Sequence, residues 1–219
     1  MPRFAHVIFD LDGTLVDTKE DLAVATNAML AALGLSQLSL EQVTSYVGNG
    51  ARVLVERALG PSHTDLVSQG VTLFMEYYQI HLLERTRPYP GIVPILTEAR
   101  ENGITLSVLT NKPVAVSRTI LAGLSFAEFF AAIVGGDTLA VRKPHPQGVR
   151  YLQQHTGIPL AETLLVGDSR VDIETGQAAG VPTCGVTWGF DAQAVLAQPP
   201  EFVVDTPEEL GRLMLKTKT

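Results

Sequence analysis

Four times along this chain an apolar run breaks off at a cluster of polar, turn-forming residues, and that repeated junction limits the folds open to it. Val7, Ile8 and Phe9 run into Asp10, followed by Asp12, Gly13 and Thr14. The run from Leu106 to Leu109 ends at Thr110, Asn111, Lys112 and Pro113; Ile133 and Val134 end at Gly135, Gly136 and Asp137; Leu164 to Val166 ends at Gly167, Asp168 and Ser169. Each junction reads as a buried strand delivering a loop. Between them lie helical periodicities such as Ile92, Ile95, Leu96 and Ala99, closed by the stop signals Asn102 and Gly103. Strands alternating with such helices predict an α/β fold, a doubly wound, Rossmann-like parallel sheet buried on both faces. Ligands of these sheets bind beyond the carboxyl ends of the strands, which is where each polar cluster falls.

The alternation lapses between Asp17 and about Arg85. Apolar residues recur there at helical spacing (Leu22, Ala25, Met29, Ala32 and Leu33; Val53, Leu54 and Ala58; Val71, Phe74, Met75 and Tyr78), with no convincing strand. This predicts an all-helical unit over 17–86 inserted into an α/β core made of 1–16 and 87–219. Pro88, Tyr89, Pro90 and Gly91 mark the return to the core, and Phe202 to Val204 and Thr206 to Leu215 read as a last strand and helix.

With 219 residues and 46% hydrophobic content, the chain can bury a substantial core. Its net charge of -7 argues against a nucleic-acid or anionic-membrane partner, so an anionic ligand has to be drawn in by local cations or a metal ion. Cys184 is the only cysteine, which excludes an internal disulfide and a multi-cysteine zinc cluster. The amino terminus lacks the pattern of a signal peptide, and every apolar run is shorter than the ~20 residues of a spanning helix. A cytoplasmic protein is expected, a monomer or small homo-oligomer.

Asp10 and Asp12 stand at alternate positions of a strand-end loop, with Gly13 permitting a tight turn, so their carboxylates are expected near one another. One can attack an electrophile, the other can move protons, and together they suit a hard divalent cation. Asp and Gly are also common turn residues, so taken alone this motif leaves a structural turn open. Thr110 and Asn111 offer a hydroxyl and an amide for phosphate oxygens, or Thr110 caps a helix before Pro113. Lys143 supplies a placed cation or a solvated charge. Asp168 and Asp172, four apart, are expected on the same side of a first helical turn, as a working pair or as an acidic helix start.

Taken in order, these clusters closely resemble the four motifs of the haloacid dehalogenase superfamily, across the whole chain. The resemblance implies that Asp10 is a nucleophile, that Asp12 is a general acid and base, and that Thr110 and Lys143 bind the transferring phosphoryl group. It also implies Mg²⁺ held by Asp10, by Asp12 through its backbone carbonyl, and by Asp168, with Asp172 as an outer partner or a direct ligand. Family members that displace halide lack the second Asp, so Asp12 favours phosphoryl chemistry. The helical unit resembles the family's cap, in which the loop from Tyr46 to Arg52 makes Gly48, Asn49, Gly50 and Arg52 candidate substrate-binding residues. An ordinary interhelical turn with Arg52 in solvent is the alternative.

More narrowly, Val47 to Gly50, Leu109 to Pro113, Gly135 to Asp137 with Lys143 to Pro146, and Val166 to Asp172 are similar to segments of bacterial phosphoglycolate phosphatases. That similarity implies hydrolysis of 2-phosphoglycolate, a small anionic phosphate ester, to glycolate and phosphate, with Arg52 or Lys112 assisting Lys143. Competing expectations are a phosphatase for a sugar phosphate or pyrophosphate, a sugar phosphomutase, and a non-enzymatic aspartate phosphoacceptor. His6, His63, His81 and His155 form no ligand spacing, His145 between two prolines reads as structural, setting the turn after Lys143, Trp188 reads as packing or lining a pocket edge, and Gly135 with Gly136 is no dinucleotide fingerprint.

Overall fold

In chain order the elements are β1 (His6–Phe9), β2 (Val16–Asp17), α1 (Lys19–Ala32), α2 (Leu40–Thr44), α3 (Ala51–Leu59), α4 (Val67–Ile80), β3 (Arg87–Pro88) and α5 (Ile92–Glu101). They continue with β4 (Thr105–Leu109), α6 (Val114–Gly123), β5 (Ala132–Val134), α7 (Gln147–Thr156), β6 (Thr163–Gly167), α8 (Arg170–Ala179), β7 (Thr183–Val186), α9 (Ala192–Ala197), β8 (Phe202–Val204) and α10 (Pro207–Leu215). This computed structural model describes residues 2–197 and 200–215; Met1, 198–199 and 216–219, assigned to the α/β core from sequence, lie outside the described residues.

Six strands form one sheet in the order β5-β4-β1-β6-β7-β8, and every pairing in it is parallel. The chain runs from β1 outward to β4 and β5, then returns to β6 on the other side. The strand order therefore reverses beside β1, and the crevice at that switch point opens at the carboxyl ends of β1 and β6. The sheet expected from sequence is present, and its strands are apolar on both faces for a visible reason. Ile8, Leu109 and Leu165 pack with Val149 and Leu152 of α7 and Ala179 of α8, whereas Val7, Phe9, Val108 and Val166 pack in the cluster that includes Ile92 and Leu96 of α5 and Leu210 of α10. With helices on both sides, neither parity of a strand can be polar without cost.

His6 is the exception, fully buried at the start of β1. Its Nε2 lies 2.9 Å from Ser107 Oγ on the neighbouring strand, while Nδ1 has no partner, and burial lowers the imidazole pKa to about 4. Because the folded value lies below the ordinary 6.5, the stabilisation is complete above pH 6.5 and is lost as pH falls toward 4. Relative to a His6→Gln variant, the wild type should lose about 2 kcal/mol of stability between pH 7.5 and pH 5 in urea titrations. A constant difference between the two proteins would show that His6 takes up its proton as readily in the fold as in the unfolded chain.

Between β2 and β3 the described structure is helical, as expected from the apolar spacing. β2 and β3 pair with one another antiparallel, Val16 opposite Pro88 and Asp17 opposite Arg87, so the chain enters and leaves the helical segment side by side. Asp21, buried at the start of α1, ties the two crossings together by accepting from the N–H groups of Arg85 (3.0 Å) and Thr86 (2.8 Å) and from the Thr86 hydroxyl (2.8 Å). No helix among the described residues is long and apolar enough to cross a membrane.

Candidate active site

Asp10 is the first residue beyond β1, and its N–H still donates to Val166 O at 2.9 Å, which holds it level with the end of β6. Asp168 is the first residue beyond β6, and Asp172 lies in the first turn of α8. One carboxylate oxygen from each of Asp10, Asp168 and Asp172 lies within 4.8 Å of the others, and all three residues are buried. Lys143, delivered by the loop between β5 and α7, places Nζ 2.8 Å from Asp10 Oδ1 and 2.5 Å from Asp172 Oδ1. Its contact with Asp10 is a close ion pair.

Three carboxylates against one ammonium leave excess negative charge on buried groups. Burial pushes the Asp10 carboxyl up to about 6; Lys143 pulls it down, and Asp172 and Asp12 add to the rise. Burial also holds Asp168 well above the ordinary carboxylate range, reinforced by Asp172 and Asp10 and opposed by hydrogen bonds from the Phe190 N–H (2.7 Å) and the Thr14 hydroxyl (3.1 Å). Burial alone would lower the Lys143 ammonium, but Asp10 and Asp172 outweigh it and hold it above the ordinary lysine value. An all-oxygen donor set of three clustered carboxylates with surplus negative charge fits a hard divalent cation.

The backbone closes tightly around Asp168. A Cβ at Gly13, where φ of +81° already favours glycine, would lie 2.1 Å from Asp168 Oδ2, and one at Gly189 would lie 2.2 Å from Asp168 Cβ. Trp188 donates from Nε1 to Thr14 O at 3.1 Å, so the expected packing residue also pins the loop after β1.

Several residues stand differently from the spacing argument. Asp10 and Asp12 do not share a cation pocket through their carboxylates: β1 ends at Phe9, strand geometry lapses, and the Asp12 side chain turns to Lys112 Nζ (2.8 and 3.0 Å) and the Thr18 hydroxyl (2.6 Å). Asp168 and Asp172 do come together, but not as neighbours on a helix. Asp168 precedes α8, while Asp172 forms a capping box with Ser169, accepting from its N–H (3.2 Å) and hydroxyl (2.5 Å). Thr110 does not cap α6; Asp137 does, accepting from Val114 N–H at 2.8 Å. Thr110 is instead buried on the wall of a cavity that Asp10 and Asp12 also line.

That cavity, of about 40 Å³, lies between the strand ends and the helical segment, with Gly48, Gly50 and Asn111 on its wall. The Asn111 amide donates to Gly48 O at 3.0 Å and Lys143 O at 3.1 Å, bridging the two parts of the molecule, while its Oδ1 has no partner. Gly48 and Asn49 also line a broader outer opening, together with Lys19, Arg57 and Arg170. Arg52 lines neither space: its side chain is 60% exposed and paired with Glu56 at 2.9 Å, on the turn above in α3. Arg57 is the arginine at the opening, and the phase of α3 decides between them. Thr14, Thr18, Tyr78 and the Phe190 N–H are given no role by the sequence alone; Thr14 belongs to the first cluster and Thr18 follows it, whereas Tyr78 reads only as part of an apolar stripe.

The family model described as haloacid dehalogenase-like hydrolase matches residues 7–186. A phosphoglycolate phosphatase of Pseudomonas putida is 41% identical over 94% of this chain and 77% of its own length. One from Neisseria meningitidis is 39% identical over 93% of this chain and 91% of its own. A crystal structure described as a predicted phosphoglycolate phosphatase from Haemophilus somnus superposes with a TM-score of 0.90 at 32% identity, covering 96% of this chain and 97% of that one.

Proposed function

Since the chain belongs to the haloacid dehalogenase-like hydrolase family, we propose that it is a Mg²⁺-dependent phosphomonoester hydrolase that works through an aspartyl phosphate on Asp10 and takes 2-phosphoglycolate as substrate. The observation that carries this reading is the buried Asp10 carboxylate at the switch point, clustered with those of Asp168 and Asp172 and 2.8 Å from the Lys143 ammonium. The relatives' names support the choice of substrate.

In this reading a carboxylate oxygen of Asp10 bonds to phosphorus as the ester P–O bond breaks, and Asp12 gives its proton to the departing alkoxide oxygen. Asp12, now ionised, takes a proton from water; the water oxygen attacks phosphorus, the bond to Asp10 breaks, and inorganic phosphate leaves. Lys143 balances charge on the phosphoryl oxygens, and Thr110 offers its hydroxyl to them. The carboxylates of Asp10 and Asp168 and the backbone carbonyl of Asp12 would hold Mg²⁺, which when bound supplies further positive charge against the phosphoryl group. Asp172, with one oxygen on Lys143 and the other on Ser169, serves as an orienting outer partner. We take the helical segment over 17–86 as the cap, which excludes water from the site.

Phosphate release from a panel of 2-phosphoglycolate, sugar phosphates, nucleotides and pyrophosphate tests this directly. Release is expected to fall at least about 10²-fold in chelator and to be fastest with 2-phosphoglycolate. Metal-dependent release with another preference would retain the chemistry and discard the substrate. No release from any ester, with phosphate moving between sugar positions instead, would make the protein a mutase.

A further inference from the structure

Lys112 pairs with none of the three clustered carboxylates. Both hydrogen bonds given by its ammonium go to Asp12, its sole salt-bridge partner among the described residues, although an ammonium carries three donors. The same ammonium lies 4.8 Å from the centroid of the Tyr78 ring, contributed by α4. The Tyr78 hydroxyl is buried and has no hydrogen-bond partner.

Lys112 and Tyr78 both line the small cavity described above, whose wall from the helical segment is otherwise apolar: Leu22, Val47, Leu54, Phe74 and Met75. At about 40 Å³ it has room for about three or four water-sized groups. The phenol oxygen can accept the ammonium's remaining donor, but the phenol's own proton has no acceptor in this apolar wall; burying it is costly unless a ligand takes it, and the ligand that does so beside an ammonium is an anion.

Resting on the phosphatase reading above, we propose that Lys112 and Tyr78 form the subsite for a negatively charged group on the leaving side of the ester. The site then selects small phosphate esters whose alcohol carries a carboxylate and disfavours neutral esters of the same length. Lys112 is thus the residue that reads the leaving group, distinct from Lys143 at the phosphoryl group. A leaving alcohol with no acceptor on its second carbon leaves the buried phenol proton unpaired and the ammonium without a counter-charge, which is the situation in which polar sites discriminate strongly.

The test compares 2-phosphoglycolate with ethyl phosphate, whose two-carbon leaving group carries neither charge nor a further acceptor. The wild type should favour the carboxylate by at least about 10²-fold in kcat/KM. In Lys112→Met that ratio should fall below about 10, mostly through a raised KM for 2-phosphoglycolate. Tyr78→Phe, which keeps the ring and deletes only the hydroxyl, should lower the ratio by about tenfold without altering the fold. Equal use of the two esters by the wild type overturns the proposal without needing any variant. So does an equal loss on both esters in Lys112→Met, since a lysine that served only to hold Asp12 would affect them alike. Phosphatase activity confined to other, neutral esters removes the subsite but keeps the phosphatase reading, whereas no activity on any ester removes both.

Discussion

Asp10→Asn is expected to lower kcat at least about 10⁴-fold on every phosphate ester and, in the absence of metal, to raise the melting temperature. The loss follows from replacing the proposed nucleophile by an amide that cannot form the acyl phosphate. The gain follows from the electrostatics of the crevice. Burial lifts the Asp10 carboxyl from 3.8 to about 6, a gap worth about 3 kcal/mol, so at pH 7.5 the fold carries an ionised group it would hold more comfortably protonated. The sign follows directly: a raised folded value means that this group adds stability as pH falls through 6. The advantage of the variant should therefore shrink between pH 7.5 and pH 5, and melting curves in chelator at the two pH values would measure it. Activity within tenfold of wild type would remove Asp10 from its role, and a variant less stable than wild type at pH 7.5 would contradict the account of the charge cluster.

Lys143→Met should have the largest effect on stability. It deletes the cation that pairs with both Asp10 and Asp172, leaving three buried carboxylates to face one another. Breaking a buried pair from one side typically costs about 3–5 kcal/mol, and urea unfolding in chelator is expected to show a loss of that size. Mg²⁺ should recover part of it, because a bound divalent ion offsets the same charges. The double variant Lys143→Met, Asp172→Asn should recover part of it without metal, because the strand-end carboxylates then lose their nearest repelling neighbour. Turnover should fall at least about 10³-fold in the single variant, since the phosphoryl oxygens lose their fixed cation. Unchanged stability in chelator would mean that the crevice is far wetter than its burial implies.

Much of this arrangement is legible along the chain because each strand end announces itself. Apolar residues at consecutive positions have to be buried on both faces, and the first polar residue after them has to emerge at the carboxyl edge; Asp10, Thr110 and Asp168 follow from that reasoning alone. Side-chain direction beyond the strand does not. Asp12 is two residues from Asp10, yet Lys112 and Thr18 draw it off the shared cluster, and Lys112 arrives from another strand end about a hundred residues on. The approach of Asp168 to Asp172 was expected for the wrong physical reason, since a capping box rather than helical spacing sets it. Arg52 and Arg57 differ by five residues on one helix, and only the phase of α3 tells which faces the opening. Tyr78 was hidden because a phenol in an apolar stripe reads as packing, and nothing in its own segment records that its hydroxyl lacks a partner.

The pairing of β2 with β3 bears on how such a chain tolerates change. The crossings at Val16–Asp17 and Arg87–Pro88 are zipped side by side, and the Asp21 carboxylate clamps the second to the helix that follows the first. Everything between them is therefore, for the rest of the molecule, a loop whose ends are already joined. The entropy of closing a loop grows only with the logarithm of its length, so residues added or removed within that span barely alter the cost of folding the sheet. A lineage can thus rebuild the wall proposed to face the leaving group, even exchanging it wholesale, while the strand ends proposed to hold the phosphoryl group keep their positions. Selectivity and chemistry become separately inheritable traits, joined at two adjacent peptide crossings.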